Sequence, residues 1–469
     1  MTKDLNAPAT GRLAATVLAA LGLVLGAHTA AAQNNIAEIN NGVGAGQSEA
    51  LVPPPAPVPT SGDHLFGDWG GLRTELHDIG IDVALDWVSE VAGNVSGGVK
   101  QGTTYAGQVA LGVDVDWEKL AGVRGFSTHF GLVNREGASD SENFGDNLLA
   151  VQEVYGGGGG VLVHMVYSYA EQSLLNGRID IKLGLMPVLN DFNASPLFCN
   201  FMSGTVCGNP KELDGGDAGM SIYPNGVWGT RIRVRPTAQT YIQAGVYQVS
   251  QGLGGPDDRA GFDLDGSQNS GVEVPVEVAY EPLIGPQAMP GHYKLGFAYD
   301  SSSNAAYFDS AGALLSGIRG TGNKTNYWVA ADQMIHRNGP GAADGIILLA
   351  GYVHADPALS PYTDQVYVGA LDRDFWPSRP LDTIGVLFDY QHVSDQLATE
   401  QMLDAEYGLP LANGATGIQT NEAVLEVNYD FHVLPGLSVE PDFQYVIRPN
   451  AQSNIGNAAV FGFKSHISF

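Results

Sequence analysis

Cysteine, positive charge and long apolar runs are all scarce in this chain. The 469 residues include two cysteines, Cys199 and Cys207. In an exported chain the default for such a close pair is one disulfide closing a short loop, whereas zinc would need further ligands, and no histidine lies between them. Basic residues number 22 against 50 acidic ones, a formal charge of −28, so nucleic acid is excluded as a natural partner. Past residue 32 no apolar run reaches the roughly 20 residues of a membrane-crossing helix, so none is expected there. Catalytic signatures are missing too: there is no Gly-x-Ser-x-Gly elbow, no phosphate loop and no His-Glu-x-x-His pair. Asp263-Leu264-Asp265-Gly266 fails as a calcium loop, because Gln268 and Val274 stand where glycine and glutamate are required. Asp257-Asp258 reads as an acidic loop, and the run 156–160 as a glycine turn. No catalytic residue, metal or cofactor is therefore expected.

What is present points to export and to strands. Lys3 and Arg12 precede the apolar stretch 13–27 and the small residues Ala30-Ala31-Ala32, the pattern of a secretory signal cleaved after residue 32. Residues 33–62, with Pro53-Pro54-Pro55-Ala56-Pro57, read as a flexible leader. The rest, 63–469, reads as one β-domain in a chain that is 44% hydrophobic and only 15% charged, with 62 glycines and 19 tyrosines. A membrane barrel hides its hydrophobicity in alternate positions, so this composition suits tight turns, close strand packing and aromatic girdles.

The alternation is nearly continuous. Ile81, Val83, Leu85 and Trp87 oppose Asp82, Ala84, Asp86 and Val88, and Val109, Leu111, Val113, Val115 and Trp117 oppose Gln108, Ala110, Gly112, Asp114 and Asp116. Similar segments recur near 124–134, 161–170, 178–186, 227–235, 240–249, 272–281, 292–300, 326–335, 345–354, 364–370, 381–391, 421–430, 437–446 and 458–469. That makes about sixteen strands of the 9–11 residues a tilted membrane strand needs. Connections 236–239 and 432–436 are short, whereas 187–226, 250–271, 301–325 and 392–420 are long, the expected contrast between periplasmic turns and external loops. In the last segment Phe461, Phe463, Ile467 and Phe469 share one parity, and Lys464 and His466 share the other. An aromatic residue closing such a strand is similar to the terminal signal of bacterial outer-membrane barrels. The stretch 65–76 breaks the alternation and reads as a turn leading into a short helix ended at Gly80. The expectation is an all-β, transmembrane antiparallel barrel of about 16 strands with a short N-terminal helical segment.

The run Phe66-Gly67-Asp68-Trp69-Gly70-Gly71-Leu72-Arg73, then Gly80-Ile81 and Gly93-Asn94-Val95-Ser96-Gly97-Gly98, resembles the opening of the carbohydrate-selective porins of the OprB family. Further matches are Asn190-Asp191-Phe192, Phe198-Cys199-Asn200-Phe201, Tyr223-Pro224, Trp228-Gly229, 290–296 and 441–446; Leu185-Met186 departs from the expected Gly-Arg or Gly-Lys. The resemblance implies passive diffusion of monosaccharides and other small sugars, glucose for example, across the outer membrane of a Gram-negative bacterium. Outer-membrane lipid, lipopolysaccharide and the barrel assembly machinery are the implied partners. Two alternatives stay open: a general cation-preferring pore, suggested by the acidic total, and a secreted β-rich carbohydrate-binding protein or glycan-degrading enzyme.

Selectivity for a neutral polyol needs fixed hydrogen-bonding groups and aromatic faces. On 230–235, Ile232 and Val234 face one way and Arg231, Arg233 and Arg235 the other; since a lipid-facing charge costs about 2–4 kcal/mol at the midplane, the arginines are placed in the lumen. They either meet sugar hydroxyls or are neutralised by carboxylates and brace the wall. In many general porins a loop corresponding to 187–226 folds inward, and here Cys199–Cys207 would stiffen it. Asp191, Phe192 and Trp228 are candidates to flank the constriction, or are a solvated acid and loop-packing aromatics. Lys182, Lys294, Glu273, Glu277, Glu422 and Glu426 complete the expected pore lining.

Overall fold

A computed structural model describes residues 64–155, 163–216, 219–250, 262 and 268–469. The expected signal and leader (1–62), the glycine run 156–160, Asp257-Asp258 and the calcium-loop-like 263–266 lie outside the described residues.

The strands on the first half of the wall are β1 (Ile81–Ser96), β2 (Gly102–Asp116), β3 (Phe126–Gly137), β4 (His164–Leu174), β5 (Ile179–Met186), β6 (Val227–Thr237), β7 (Thr240–Ser250) and β8 (Asn269–Tyr280). A two-residue β9 (Leu283–Ile284) precedes β10 (Met289–Ala305), β11 (Thr321–Arg337), β12 (Gly345–Ala355) and β13 (Tyr362–Arg373). β14 (Thr383–Val393), β15 (Asn421–Leu434), β16 (Leu437–Ile447) and β17 (Ala458–Ser468) finish the sheet. All pairings are antiparallel between neighbours, and β1 also pairs with β17 from Asp86↔Ser468 to Ser96↔Ala459. The main sheet thus closes on itself, as a spanning sheet must. Because β9 pairs only with Met289 and Pro290 while β8 pairs directly with β10, sixteen staves form the barrel.

Side-chain parity follows the sequence reading. On β7, Ile242 and Val246 are exposed on the outer face, whereas Tyr241, Gln243 and Tyr247 are buried on the inner one. Val276, Val278, Leu295, Phe297, Val329, Val386, Phe388, Val427, Phe461 and Phe463 continue the outer apolar band around the barrel. Each such residue favours hydrocarbon over water by about 1.5–3 kcal/mol, so the band fixes the register. Connections 238–239 and 435–436 mark the periplasmic rim, and the long loops mark the external one.

Two expectations change in detail. The connection between β10 and β11 shortens from 301–325 to 306–320, because the ladder continues through polar residues: the Asn323 Nδ2 donates to the carbonyls of Ser301 (2.9 Å) and Ser302 (3.0 Å). Likewise β1 and β2 run to Ser96 and from Gly102, beyond the apolar alternation that marked them. The external loop after β14 carries the helix Asp395–Glu406, which packs Leu397 against Leu148, Tyr362, Val393 and Ala451.

The N-terminal helical segment is the helix Leu72–Asp78, and its residues fasten the β1–β17 seam. Leu65 N donates to Ser468 O (2.8 Å), the Phe66 ring lies 5.5 Å from that of Phe469, and Arg73 donates to the carbonyls of Val83 (3.0 Å) and Phe469.

Candidate pore constriction

Residues 187–216 and 219–226 cross the lumen. The base of this crossing is closed by the backbone N–H groups of Val188 and Leu189, which donate to the hydroxyl and the carbonyl of Ser221 (3.1 and 3.0 Å). From there the chain reaches wall after wall. Asn193 N donates to Glu277 on β8 (2.8 Å), Ala194 O accepts from Lys294 on β10, and Met202 N donates to Glu426 on β15 (2.6 Å). Gln365 on β13 donates to Thr205 O (2.8 Å) and accepts from Glu212 N (3.0 Å), while Lys464 on β17 donates to Cys199 O (2.9 Å). Beneath it Leu197, Phe198 and Phe201 pack on Ile347, Leu349, Tyr367 and Leu387. The Cys199–Cys207 disulfide is formed within this crossing, as expected.

Opposite the start of the loop stands the basic wall of β5 and β6. Arg231, Arg233 and Arg235 do face the lumen, but they are not equivalent. Arg231 is 1% exposed, lies against Asp180, and has Asp191 3.5 Å away; it is sealed behind the loop and cannot meet a solute. Arg235 pairs with Glu281 (2.7 Å). Arg233 donates its Nε to Gln243 (2.9 Å), keeps Asp191 at 4.0 Å, and is 23% exposed; among the described residues its Nη atoms make no hydrogen bond. The ring of Tyr241 lies under both, 4.8 Å from the Arg233 guanidinium and 5.2 Å from that of Arg235. Lys182 is bonded to Asp191 (2.9 Å), is 3.9 Å from Glu171, and sits 5.0 Å over Tyr169. Formally, then, four cations meet the four carboxyl groups of Glu171, Asp180, Asp191 and Glu281. Burial alone would raise the Asp191 carboxyl, but Lys182, Arg231 and Arg233 outweigh it and hold Asp191 well below the usual carboxylate range.

Several expected pore residues lie elsewhere. Trp228 is 43% exposed on the parity of Ile232 and Val234, so it faces outward and cannot stack on a permeant. Phe192 is 0% exposed, edge-on to Tyr247 at 6.1 Å, and belongs to the core formed with Val188, Leu189 and Met220; it anchors the loop and offers no free ring. Tyr247 can lie flat there because the wall opposite is Gly229, where a Cβ would come within 2.1 Å of the ring. Glu273, Glu277, Glu422 and Glu426 point inward as expected but are buried, Glu277 and Glu426 beneath the loop they hold. Lys294 is half-buried and spends a donor on Ala194 O. Tyr241, Gln243, Tyr169, Glu171, Asp180 and Glu281 are not among the expected residues, although extending the inward parity of their segments finds all six.

A family model described as "Carbohydrate-selective porin, OprB family" matches residues 100–469. Porin B of Pseudomonas aeruginosa is 30% identical over 86% of this chain and 91% of its own length. A putative porin, QuiX, of Acinetobacter baylyi is 27% identical over 86% and 93%. Among solved structures, the high-pH structure of Pseudomonas putida OprB superposes with a TM-score of 0.80 at 29% identity, covering 87% of this chain and 98% of that one. The two relatives are named as porins, and the Pseudomonas putida structure shares the barrel described above. The chain belongs to the OprB family of carbohydrate-selective porins, and its place is the outer membrane of a Gram-negative bacterium.

Proposed function

We propose that the chain passes small neutral sugars, monosaccharides such as glucose among them, by passive diffusion through the gap between the 187–226 loop and the β5–β7 wall, with Arg233 as the principal sugar-contacting group. The observation that carries this reading is the state of Arg233: one face rests on Tyr241, Nε is fixed by Gln243, and the Nη atoms of this 23% exposed side chain make no hydrogen bond among the described residues. Opposite charges interleaved around it offer hydroxyls a dense set of donors and acceptors. Four of the acids expected in the lumen, Glu273, Glu277, Glu422 and Glu426, are buried, so they do not favour the cation-pore alternative. The apolar outer band is the surface for outer-membrane lipid and lipopolysaccharide, and the closing strand with Phe469 is the feature the barrel assembly machinery would read.

The test is glucose block of single-channel current in planar bilayers. A hydrogen bond to a charged group is worth about 1.5–3 kcal/mol, so Arg233→Ala is expected to weaken block by about tenfold or more. Unchanged block in that variant refutes the assignment.

A further inference from the structure

We propose that Glu277 is a positioning residue that sets the aperture and aims Arg233, a role that rests on the reading of Arg233 given above. Its carboxylate is 0% exposed and receives four donors from three different elements. Oε1 accepts from the Tyr241 hydroxyl (2.8 Å) and Gln243 Nε2 (3.0 Å) on β7. Oε2 accepts from Trp328 Nε1 on β11 (2.8 Å) and from the backbone N–H of Asn193 in the loop (2.8 Å). No cation is hydrogen-bonded to it among the described residues, so it is held by neutral donors alone and in a fixed direction.

Each donor has a second task. Gln243 Nε2 also donates to Asp191 O (2.7 Å), so Glu277 and Gln243 together grip the loop on both sides of Phe192. The Oε1 of Gln243 then has one orientation left, toward Arg233 Nε. Tyr241, its hydroxyl tied to Glu277, presents the ring on which Arg233 and Arg235 rest. Trp328 reaches the carboxylate because its indole lies flat on Gly296, where a Cβ would come within 2.0 Å of the ring. One buried carboxylate therefore couples the height of the loop above the wall to the orientation of the guanidinium below it. A neutral glutamine at 277 would turn an NH2 group toward two of the four donors and lose both bonds.

Glu277→Gln and Arg233→Ala, singly and combined, are to be compared in planar bilayers after each barrel is confirmed folded by heat-modifiable mobility. Glu277→Gln is expected to give additional conductance levels, which Arg233→Ala does not, and to weaken glucose block by about tenfold. The double variant should block no worse than the weaker single one, because both act on the same guanidinium. A merely structural role would lower the yield of folded barrel and leave conductance and block of the folded fraction as in the parent. If Glu277→Gln folds with parental conductance and block, the proposal is overturned. Should that variant not fold, Tyr241→Phe and Trp328→Phe each remove one donor, and parental behaviour in both overturns it equally. New conductance levels in Glu277→Gln beside unchanged block in Arg233→Ala would preserve the loop-setting role and reject Arg233 as the sugar contact.

Discussion

Replacing Arg231 by alanine is expected to damage the barrel and not the recognition of sugar. Arg231 lies between Asp180 and Asp191, all three at least four-fifths buried at the side chain. Removing one partner of a buried ion pair commonly costs about 3–5 kcal/mol, because the remaining charge is left without compensation. Two features of this site lower that figure. Asp191 keeps Lys182 at 2.9 Å, so only Asp180 loses its close cation, and Asp180 is 17% exposed, so water reaches part of it. The resulting loss is about 2–3 kcal/mol, roughly a hundredfold in the folded-to-unfolded ratio. Urea titration of barrels in lipid vesicles, followed by heat-modifiable mobility, reads this as a lower midpoint with an unchanged slope. Arg231→Met combined with Asp180→Asn removes both charges and should recover to within about 1 kcal/mol of the parent. Glucose block by the folded fraction of Arg231→Ala should stay within about twofold of the parent, the allowance for a small shift of Asp191. A variant of parental stability that has lost sugar block would refute the whole argument, because it would put Arg231 in the open lumen.

Acid stability tests Asp191. Its folded value is depressed, so its contribution is complete above the ordinary aspartate value of ~3.9 and fades as pH falls below that through the folded value. Asp191→Asn should therefore be less stable at neutral pH and lose less stability below about pH 4 than the parent; identical acid profiles would contradict the pairing. Removing the cross-link with Cys199→Ser and Cys207→Ser releases a loop with a sequence separation of 8. Chain entropy puts this at about 2.5 kcal/mol, seen as a lower urea midpoint and noisier open-channel current, and an unchanged midpoint would show that the wall contacts alone hold the loop. Trp228→Ala should leave glucose block unaltered, since the ring faces outward; weakened block would return it to the lumen.

The staves were legible in the sequence because a spanning strand obeys one local rule, and that rule acts on every second residue. Ile232 and Val234 against Arg231 and Arg233 suffice to orient β6. The same rule, extended two residues back from 230, excludes Trp228 from the lumen, since adjoining the loop does not override parity. The burial of Arg231 was not legible. Parity places a side chain inside the barrel but does not say whether another segment covers it, and the cover comes from contacts such as Asn193 to Glu277 and Met202 to Glu426, which join residues 84 and 224 positions apart. The strand ends were underestimated for a related reason. Above the bilayer the ladder of β10 and β11 no longer needs an apolar face, so the signal stops before the strand does.

Leu65 and Ser468 share a hydrogen bond, so the described chain returns to its starting point and, in connectivity, is a ring that happens to be cut at the seam. A ring can be cut anywhere without changing which staves are neighbours. Joining residues 64 and 469 through a short linker and opening the chain in the external connection 306–320 would give a circular permutant with the same neighbour order, the first and last staves now being β11 and β10.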